Sequence, residues 1–277
     1  MSALAADGGR IAFAVGRSAS DCDRVRIWTP ATGRVVRLGR TTSCVTTSTG
    51  TGIASLAIAG TRVLWLHYTG GNIREWRLYT ATTARPLPRR LAFLTADVDA
   101  PAPIVVGDGD ASRLGDILPY AVGRTVIALR ANGARRFAWT APRRVVALSA
   151  LGGELAVAHM GGRVTVLDAG GRVLREERYA GEIDAVKITG NGLLVQRGRV
   201  LELRNAGSPR TWTLPAGSRL EDTAGSDGAL YVVGGEARML SLSGSRDVRL
   251  GAAAHVEAEG VRVALAAGRV VRTLTLP

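Results

Sequence analysis

The sequence predicts an all-β protein, a seven-bladed β-propeller made of four-stranded antiparallel blades. Two observations predict this fold: glycines recur with a period near 37 residues, and the segments between them are short apolar runs rich in β-branched residues. The chain has 277 residues, of which 46% are hydrophobic. That is long enough for one closed domain, so we predict a single propeller over residues 1–277.

The first glycine series follows apolar runs and sets the length of the repeat. Its members are Gly123, Gly162, Gly198, Gly235 and Gly268, with steps of 39, 36, 37 and 33 residues. A second series trails it by 9 or 10 residues and consists of Gly133, Gly171, Gly207 and Gly244. Because glycine adopts positive φ at little cost, two glycines at fixed phase indicate two tight hairpin turns per repeat. Residues 3–14 also match residues 147–158 without a gap, so the repeat extends to the start of the chain.

Each repeat contains four short segments that favour strands. In the best-defined repeat they cover residues 144–150, 154–159, 163–168 and 172–178, and all are too short for helices. Four antiparallel strands per repeat is the content of one propeller blade. We therefore expect blades near residues 2–40, 52–94, 103–140, 144–179, 182–215, 218–250 and 253–277.

The last repeat has sequence for only three strands. An open sheet edge promotes aggregation, so we expect either a three-stranded last blade or closure by a missing N-terminal strand.

The first two repeats are longer than the others, and their excess lies in residues 18–23, 41–51, 68–73 and 95–102. Most of these segments connect strand B to C or strand D to the next A, which places them on one rim. This pattern predicts that the loop rim of blades one to three is the functional surface.

Both cysteines, Cys22 and Cys44, lie in connections rich in Ser, Thr and Asp. A metal site would need more Cys or His nearby, so we expect a disulfide, with two free thiols as the alternative. A disulfide forms in an oxidising compartment, which predicts an extracellular, periplasmic or cell-surface protein whose signal peptide is absent from this sequence. No apolar stretch approaches the roughly 18 residues of a membrane-spanning helix.

The net charge of +13 comes almost entirely from arginine, because Lys187 is the only lysine. This bias is typical of a GC-rich, bacterial genome. Many arginines stand singly near strand starts and turns, as do Arg163, Arg199 and Arg269, so no continuous basic stripe forms. The pattern therefore argues against a nucleic-acid partner and leaves a general affinity for acidic surfaces.

Two segments carry a family resemblance: Ile27 to Arg34 (IWTPATGR) and Val166 to Leu174 (VLDAGGRVL). They resemble the C strand, turn and D strand of WD40-like, TolB-like and PQQ-repeat propellers. The Gly-His and Trp-Asp pairs of WD40 blades are absent from the sequence. Trp28, Trp139 and Trp212 do not recur at one repeat position, so the PQQ cofactor is not implied. The resemblance implies the fold and leaves the function open, because propellers host many functions.

Four aspartates form the best candidate metal site: Asp97, Asp99, Asp108 and Asp110. Ca²⁺ prefers several oxygen ligands, and the segment containing Asp108 is expected where an inner strand approaches the central channel. The alternative is a set of solvated loop carboxylates. No other cofactor is expected.

Blade two concentrates aromatic residues, and its candidate ligand-binding residues are Trp65, His67, Tyr68 and Trp76. They would form an aromatic rim for a sugar or peptide, or they pack in the core. The histidines His67, His159 and His255 follow no spacing motif. Glu257 and Glu259 share a strand face, which the sequence assigns to a solvated or arginine-paired surface.

The sequence contains no nucleophile elbow, P-loop, dinucleotide fingerprint or His-Glu-x-x-His motif. We therefore expect a non-enzymatic, exported binding or scaffold propeller that acts as a monomer on a protein or cell-surface glycan. One alternative is a channel-centred hydrolase or lyase assisted by calcium at the four aspartates. A second alternative is a sensor or anchor domain of a longer chain.

Overall fold

The computed structural model describes residues 3–14, 24–39, 50–111, 116–205 and 207–276. All regular elements in these residues are strands. None of the described residues belongs to a helix long and apolar enough to cross a bilayer. The strands form seven consecutive antiparallel sheets. The predicted seven-bladed propeller is confirmed.

In each of the first three blades, the strands follow one another outward from the central axis in chain order. Blade one contains β1 (Ala3–Asp7), β2 (Arg10–Ala14), β3 (Val25–Thr29) and β4 (Arg34–Leu38). Blade two contains β5 (Thr51–Ala59), β6 (Arg62–Thr69), β7 (Ile73–Thr82) and β8 (Arg89–Asp97). Blade three contains β9 (Ile104–Val106), β10 (Asp110–Ala111), β11 (Asp116–Val122), β12 (Thr125–Leu129) and β13 (Arg135–Thr140). Its inner strand is split, because β9 and β10 both pair with β11.

The remaining four blades repeat the same order. Blade four contains β14 (Val145–Leu151), β15 (Glu154–His159), β16 (Arg163–Leu167) and β17 (Val173–Arg178). Blade five contains β18 (Ala185–Thr189), β19 (Gly192–Arg197), β20 (Val200–Arg204) and β21 (Arg210–Thr213). Blade six contains β22 (Arg219–Ala224), β23 (Gly228–Val233), β24 (Glu236–Ser241) and β25 (Asp247–Ala252). Blade seven contains β26 (His255–Glu259), β27 (Arg262–Ala267) and β28 (Val270–Thr275).

The repeating glycines occupy the turns that the spacing predicts. Every member of the first series has positive φ, between 56° and 80°, in the turn between the second and third strands of its blade. The second series behaves less uniformly. Its first two members have φ of 88° and 84°, whereas in blade six the non-glycine Ser245 takes the left-handed conformation with φ of 56°.

The core lies between neighbouring blades, and the second strand of blade two shows how. Val63 and Trp65 pack against blade one, whereas Leu64 and Leu66 pack against blade three. All four are at most 2% exposed. Side chains alternate across a strand, so a strand sandwiched between two sheets must be apolar on both faces. This explains why the inner runs show no polar alternation.

Blade seven closes the ring against blade one, and in the described residues it has three strands, as expected. Leu4, Ile11 and Phe13 of blade one pack against Ala264 and Ala266 of blade seven. A polar contact accompanies this packing. The amide of Gly9 donates to both carboxylate oxygens of Glu259, at 2.8 and 2.7 Å.

Candidate functional site

The central channel is the first candidate site, because inner strands of all seven blades line it. They enclose a cavity of about 370 Å³. Six carboxylates line the cavity: Asp7, Asp108, Asp110, Asp222, Glu257 and Glu259. This concentration of acid contrasts with the net charge of +13 for the whole chain.

Lys187 lies at the middle of β18 and pairs with carboxylates that line the channel. Its side chain is only 8% exposed. The Nζ atom donates to Asp108 Oδ2 at 2.7 Å and lies 3.9 Å from Asp222 Oδ1. The one lysine of the sequence is therefore a buried ion-pair partner that connects blades three, five and six.

The charges in the channel shift one another's pKa values. Burial works to lower the pKa of Lys187, but the carboxylates of Asp108, Asp222 and Glu257 outweigh it and hold this pKa well above normal. Burial raises the pKa of Asp222 to about 6 against the opposing effect of Lys187. Burial, followed by the charge of Asp222, raises the pKa of Glu257 well above its usual value. Lys187 is therefore a fixed positive charge, whereas Asp222 and Glu257 take up protons more readily than ordinary carboxylates.

Several channel carboxylates also connect adjacent blades through backbone amides. Asp7 accepts from Gly60 N at 2.6 Å, and burial raises the pKa of Asp7 to about 6 despite this bond. Asp222 accepts from the amide of Ala258, in the next blade, at 2.7 Å. Since buried amides need acceptors, these carboxylates hold the ring together as well as charging the channel.

A second cavity opens on the rim formed by the B to C and D to A connections of blades two, three and four. It has a volume of about 570 Å³. Its apolar lining is Ala54, Leu66, Pro101, Ala102, Ile104, Val105, Val106, Val145, Val146, Met160 and Ile183. Met160 is 45% exposed at the mouth, and a flexible, polarisable methionine adapts well to different partners. We call this the rim cavity.

Charged side chains hold the wall of the rim cavity in place. Arg144 Nη2 donates to the carbonyl oxygens of Pro101 and Ala102, both at 3.0 Å. The carboxylate of Glu182 accepts from the amide of Gly161 at 3.2 Å. Because these charges already bind backbone groups, they stabilise the loops around a preformed apolar opening. Such an opening is suited to take up an apolar side chain.

The four aspartates predicted to hold calcium do not converge. Asp108 and Asp110 reach the channel, whereas Asp97 ends the outermost strand of blade two and Asp99 lies in the following turn. In addition, Asp108 is bonded to Lys187. No group of three or more His, Cys, Asp or Glu in the described ranges is arranged to hold a metal ion.

The aromatic candidates of blade two lie mainly inside the protein. Trp65, His67 and Trp76 are buried, so only the half-buried Tyr68 presents surface to a ligand. The ring of Tyr68 packs on Trp76 with centroids 5.5 Å apart. His67 Nε2 is 2.7 Å from Thr51 Oγ1. These contacts are the ones expected if the aromatic residues of blade two pack in the core.

The other sequence candidates are dispersed. His159 is buried 3.3 Å from Thr165 Oγ1, and His255 Nδ1 lies 3.2 Å from Glu221 Oε2. Cys22 and Cys44 lie outside the described residues, so their disulfide stays a prediction.

Sequence reasoning missed the channel cluster although a signal for it was present. Lys187, Asp222 and Glu257 follow one another at intervals of 35 residues, and they lie on the inner strands of three successive blades. Residues at one phase of a propeller repeat form a ring around the axis. Polar residues at that phase therefore predict a charged channel, whereas each one taken alone does not.

Comparisons with known proteins support the fold. No protein-family model matches the sequence, and no curated protein matches it. A chain of the mitotic checkpoint complex is 16% identical with a TM-score of 0.62, and the match covers 95% of this chain and 86% of that one. The WD40 β-propeller domain of Doa1 is 9% identical with a TM-score of 0.63, covering 98% and 91%.

Raptor from Chaetomium thermophilum is also similar, with 14% identity and a TM-score of 0.58. The match covers 100% of this chain and 28% of the Raptor chain. In total 839 chains of solved structures match, so the likeness is general to the architecture. At these identities it shows a WD40-like propeller fold alone.

Proposed function

We propose that the protein is a non-enzymatic binding or scaffold propeller that holds a protein partner at the loop rim of its first blades. The observation that carries this proposal is the rim cavity, an apolar opening of about 570 Å³ between blades two, three and four. The long connection predicted at residues 95–102 supplies Pro101 and Ala102 to its wall. One similar propeller is part of a protein assembly, the mitotic checkpoint complex, and this supports a protein partner.

The partner would insert an apolar side chain into the rim cavity. Binding energy in protein interfaces concentrates in a few anchors that fill desolvated pockets. The exposed Met160 at the mouth contributes an adaptable contact, and the Arg144 and Glu182 bonds keep the wall preformed. Preformed walls reduce the entropy lost on binding.

The proposal includes export to an oxidising compartment, supported by the expected bond between Cys22 and Cys44. Thiol titration of denatured protein purified without reductant tests this part. We expect no reactive thiol before reduction and two after it. Two reactive thiols before reduction would refute the disulfide and remove the argument for export.

The partner-binding proposal is tested by Met160→Glu, with Val261→Glu as the matched control. Both residues are exposed, at 45% and 53%, and Val261 lies in a turn on the opposite rim. A partner isolated with the wild-type protein is purified, and its Kd for each variant is measured. We expect Met160→Glu to weaken binding about tenfold or more, because it places a charge at an apolar opening. Equal affinities for the wild type and both variants would contradict the proposal.

A second candidate function, a channel-centred hydrolase or lyase, is supported by Asp222 and Glu257. They face a cavity and have raised pKa values, as general acids do. A panel of lactones, esters and glycans would be assayed with the wild type and with Asp222→Asn. Turnover that the substitution abolishes in folded protein would favour this function over the binding role.

A further inference from the structure

On the rim opposite the rim cavity, four arginines gather between blades two and three: Arg62, Arg85, Arg89 and Arg135. We call this set the arginine patch. Arg85 and Arg89 flank the turn between β7 and β8, and Arg135 begins β13. Arg62 begins β6 and lies between the two blades. Arg85, Arg89 and Arg135 are exposed and Arg62 is half-buried.

Arg62 is fixed at the centre of the arginine patch by hydrogen bonds. Its Nε donates to the carbonyl oxygen of Ala131 at 2.8 Å, and its Nη2 donates to that of Asn132 at 2.9 Å. Its Nη1 donates to Thr80 Oγ1 at 3.1 Å. Thr80 is in turn the cross-strand neighbour of Arg89. This bonding sets the guanidinium beside the outer arginines of blade two.

The arginines of the patch act electrostatically on one another. Burial lowers the pKa of Arg62, and the charges of Arg89 and Arg85 lower it further. Burial raises the pKa of Tyr120, while Arg89 and Arg135 act in the opposite direction. Arg85 and Arg89 thus act on Arg62, and Arg89 and Arg135 act on Tyr120, so Arg89 links the two groups.

The arginine patch lacks the counter-charges that arginines have elsewhere in this protein. Arg197 and Arg204 both pair with Glu202, and Arg238 pairs with Asp247. Within the described part of the chain, no member of the patch is in an ion pair. The carboxylate that acts on Arg62 is that of Asp116, and Asp116 also accepts from the amide of Ala131 at 2.7 Å. The patch therefore carries excess positive charge.

An apolar side chain stands among these cations. Leu87, in the turn between Arg85 and Arg89, is 80% exposed. The ring of Tyr120 is buried, so it cannot stack on a nucleic-acid base. A ligand that complements the patch must therefore supply several negative charges and an apolar group beside them.

We propose that the arginine patch is a second interaction surface, which binds an acidic segment of a protein partner carrying an apolar side chain against Leu87. Carboxylates form strong, often bidentate, hydrogen bonds with arginine. Opposite charge across an interface also accelerates association and selects partners. This surface lies on the rim opposite the rim cavity and does not depend on the proposed function.

The test measures binding of a glutamate-rich peptide with one central leucine. Arg85→Glu/Arg89→Glu should weaken it about tenfold, since two favourable pairs become repulsive. The control Arg246→Glu/Arg269→Glu makes the same change in net charge at exposed arginines of blades six and seven, and it should change Kd less than about twofold. Met160→Glu should also leave peptide binding unchanged. Replacing the leucine of the peptide with serine should weaken binding to the wild type and not to Leu87→Ser.

Three outcomes would overturn this proposal. Equal losses in the patch and control variants would mean that net charge alone attracts the peptide. An undiminished affinity of the patch variant would mean that the peptide binds elsewhere. Tighter binding of a single-stranded oligonucleotide or a sulfated oligosaccharide, lost in the patch variant, would assign the surface to another class of partner. Thermal unfolding of each variant checks that the fold is retained.

Discussion

Replacing Lys187 with methionine should destabilise the protein strongly at neutral pH. The substitution keeps a long side chain in β18 and removes the cation that lies 2.7 Å from Asp108 and 3.9 Å from Asp222. At an effective dielectric constant of about 20, those distances correspond to roughly 6 and 4 kcal/mol of attraction. Desolvation of the lysine offsets much of this gain. Removing one member of a buried ion pair typically costs about 3–5 kcal/mol, so we expect a loss of about 3 kcal/mol at pH 7.

The pH dependence separates this electrostatic effect from a packing defect. The pKa of Lys187 is raised in the folded state, so its stabilisation is fully present at neutral pH and is lost only above its unfolded pKa of 10.5. Without the lysine, the pKa values of Asp222 and Glu257 should rise further. Their protonation as the pH falls from 7 to 5 should then relieve the repulsion between them. The loss in Lys187→Met should therefore shrink as the pH falls from 7 to 5.

Urea unfolding followed by tryptophan fluorescence measures the free energy of unfolding at both pH values, since the chain has 5 tryptophans. Arg163→Met is the control, because Arg163 is exposed and should contribute less than about 0.5 kcal/mol. A Lys187→Met loss below about 1 kcal/mol at pH 7, or a loss that is the same at pH 5, would refute the electrostatic reasoning.

Three further predictions concern the ring. Glu259→Gln should lower the unfolding free energy by about 1–2 kcal/mol, because Gly9 loses a charged acceptor where blade seven meets blade one; no change in chemical denaturation would refute this role in closure. Gly162→Ala should lower the unfolding free energy by roughly 3 kcal/mol, because a Cβ at this φ of 68° would clash with two carbonyl oxygens. Gly123→Ala should lower it by about 1 kcal/mol, because its Cβ would meet no other atom. Equal shifts of the two unfolding midpoints would contradict this difference. The folded pKa of Asp7 is raised to about 6 from 3.8, so its contribution to stability falls as pH rises between those values. In Asp7→Asn, the unfolding free energy should therefore decline by roughly 2 kcal/mol less than in the wild type over this pH range. Unfolding midpoints measured across the range test this, and the same pH dependence in both proteins would refute the raised pKa of Asp7.

The fold was predictable because each propeller blade requires the same residue types at the same local positions. Hairpins require positive φ at fixed intervals, and glycine marks those positions at Gly123, Gly162 and Gly198. Strands packed on both faces require continuous apolar runs such as Val63 to Leu66. Both signals are local in sequence and repeat, so they can be read without knowing which residues meet in space.

The candidate sites were less predictable because they depend on contacts between blades. The ion pair of Lys187 joins residues 79 positions apart, and the wall of the rim cavity is held by Arg144 across a separation of 42 or 43 residues. An aromatic cluster in the sequence, as in blade two, indicates binding and packing equally. Only the burial of Trp65 and Trp76 distinguishes the two. The aspartates near Asp97 and Asp108 are close in sequence but lie on opposite radial edges of adjacent blades.

Hydrogen–deuterium exchange of the protein with and without its purified partner tests the central claim most directly, because it maps the occupied rim without any substitution. We expect protection of residues 101–106, 144–146 and 182–183 around the rim cavity. We also expect unchanged exchange at residues that line the channel, such as residues 108–111 and 257–260. Protection confined to the channel, with exchange at the rim cavity unchanged, would contradict the account.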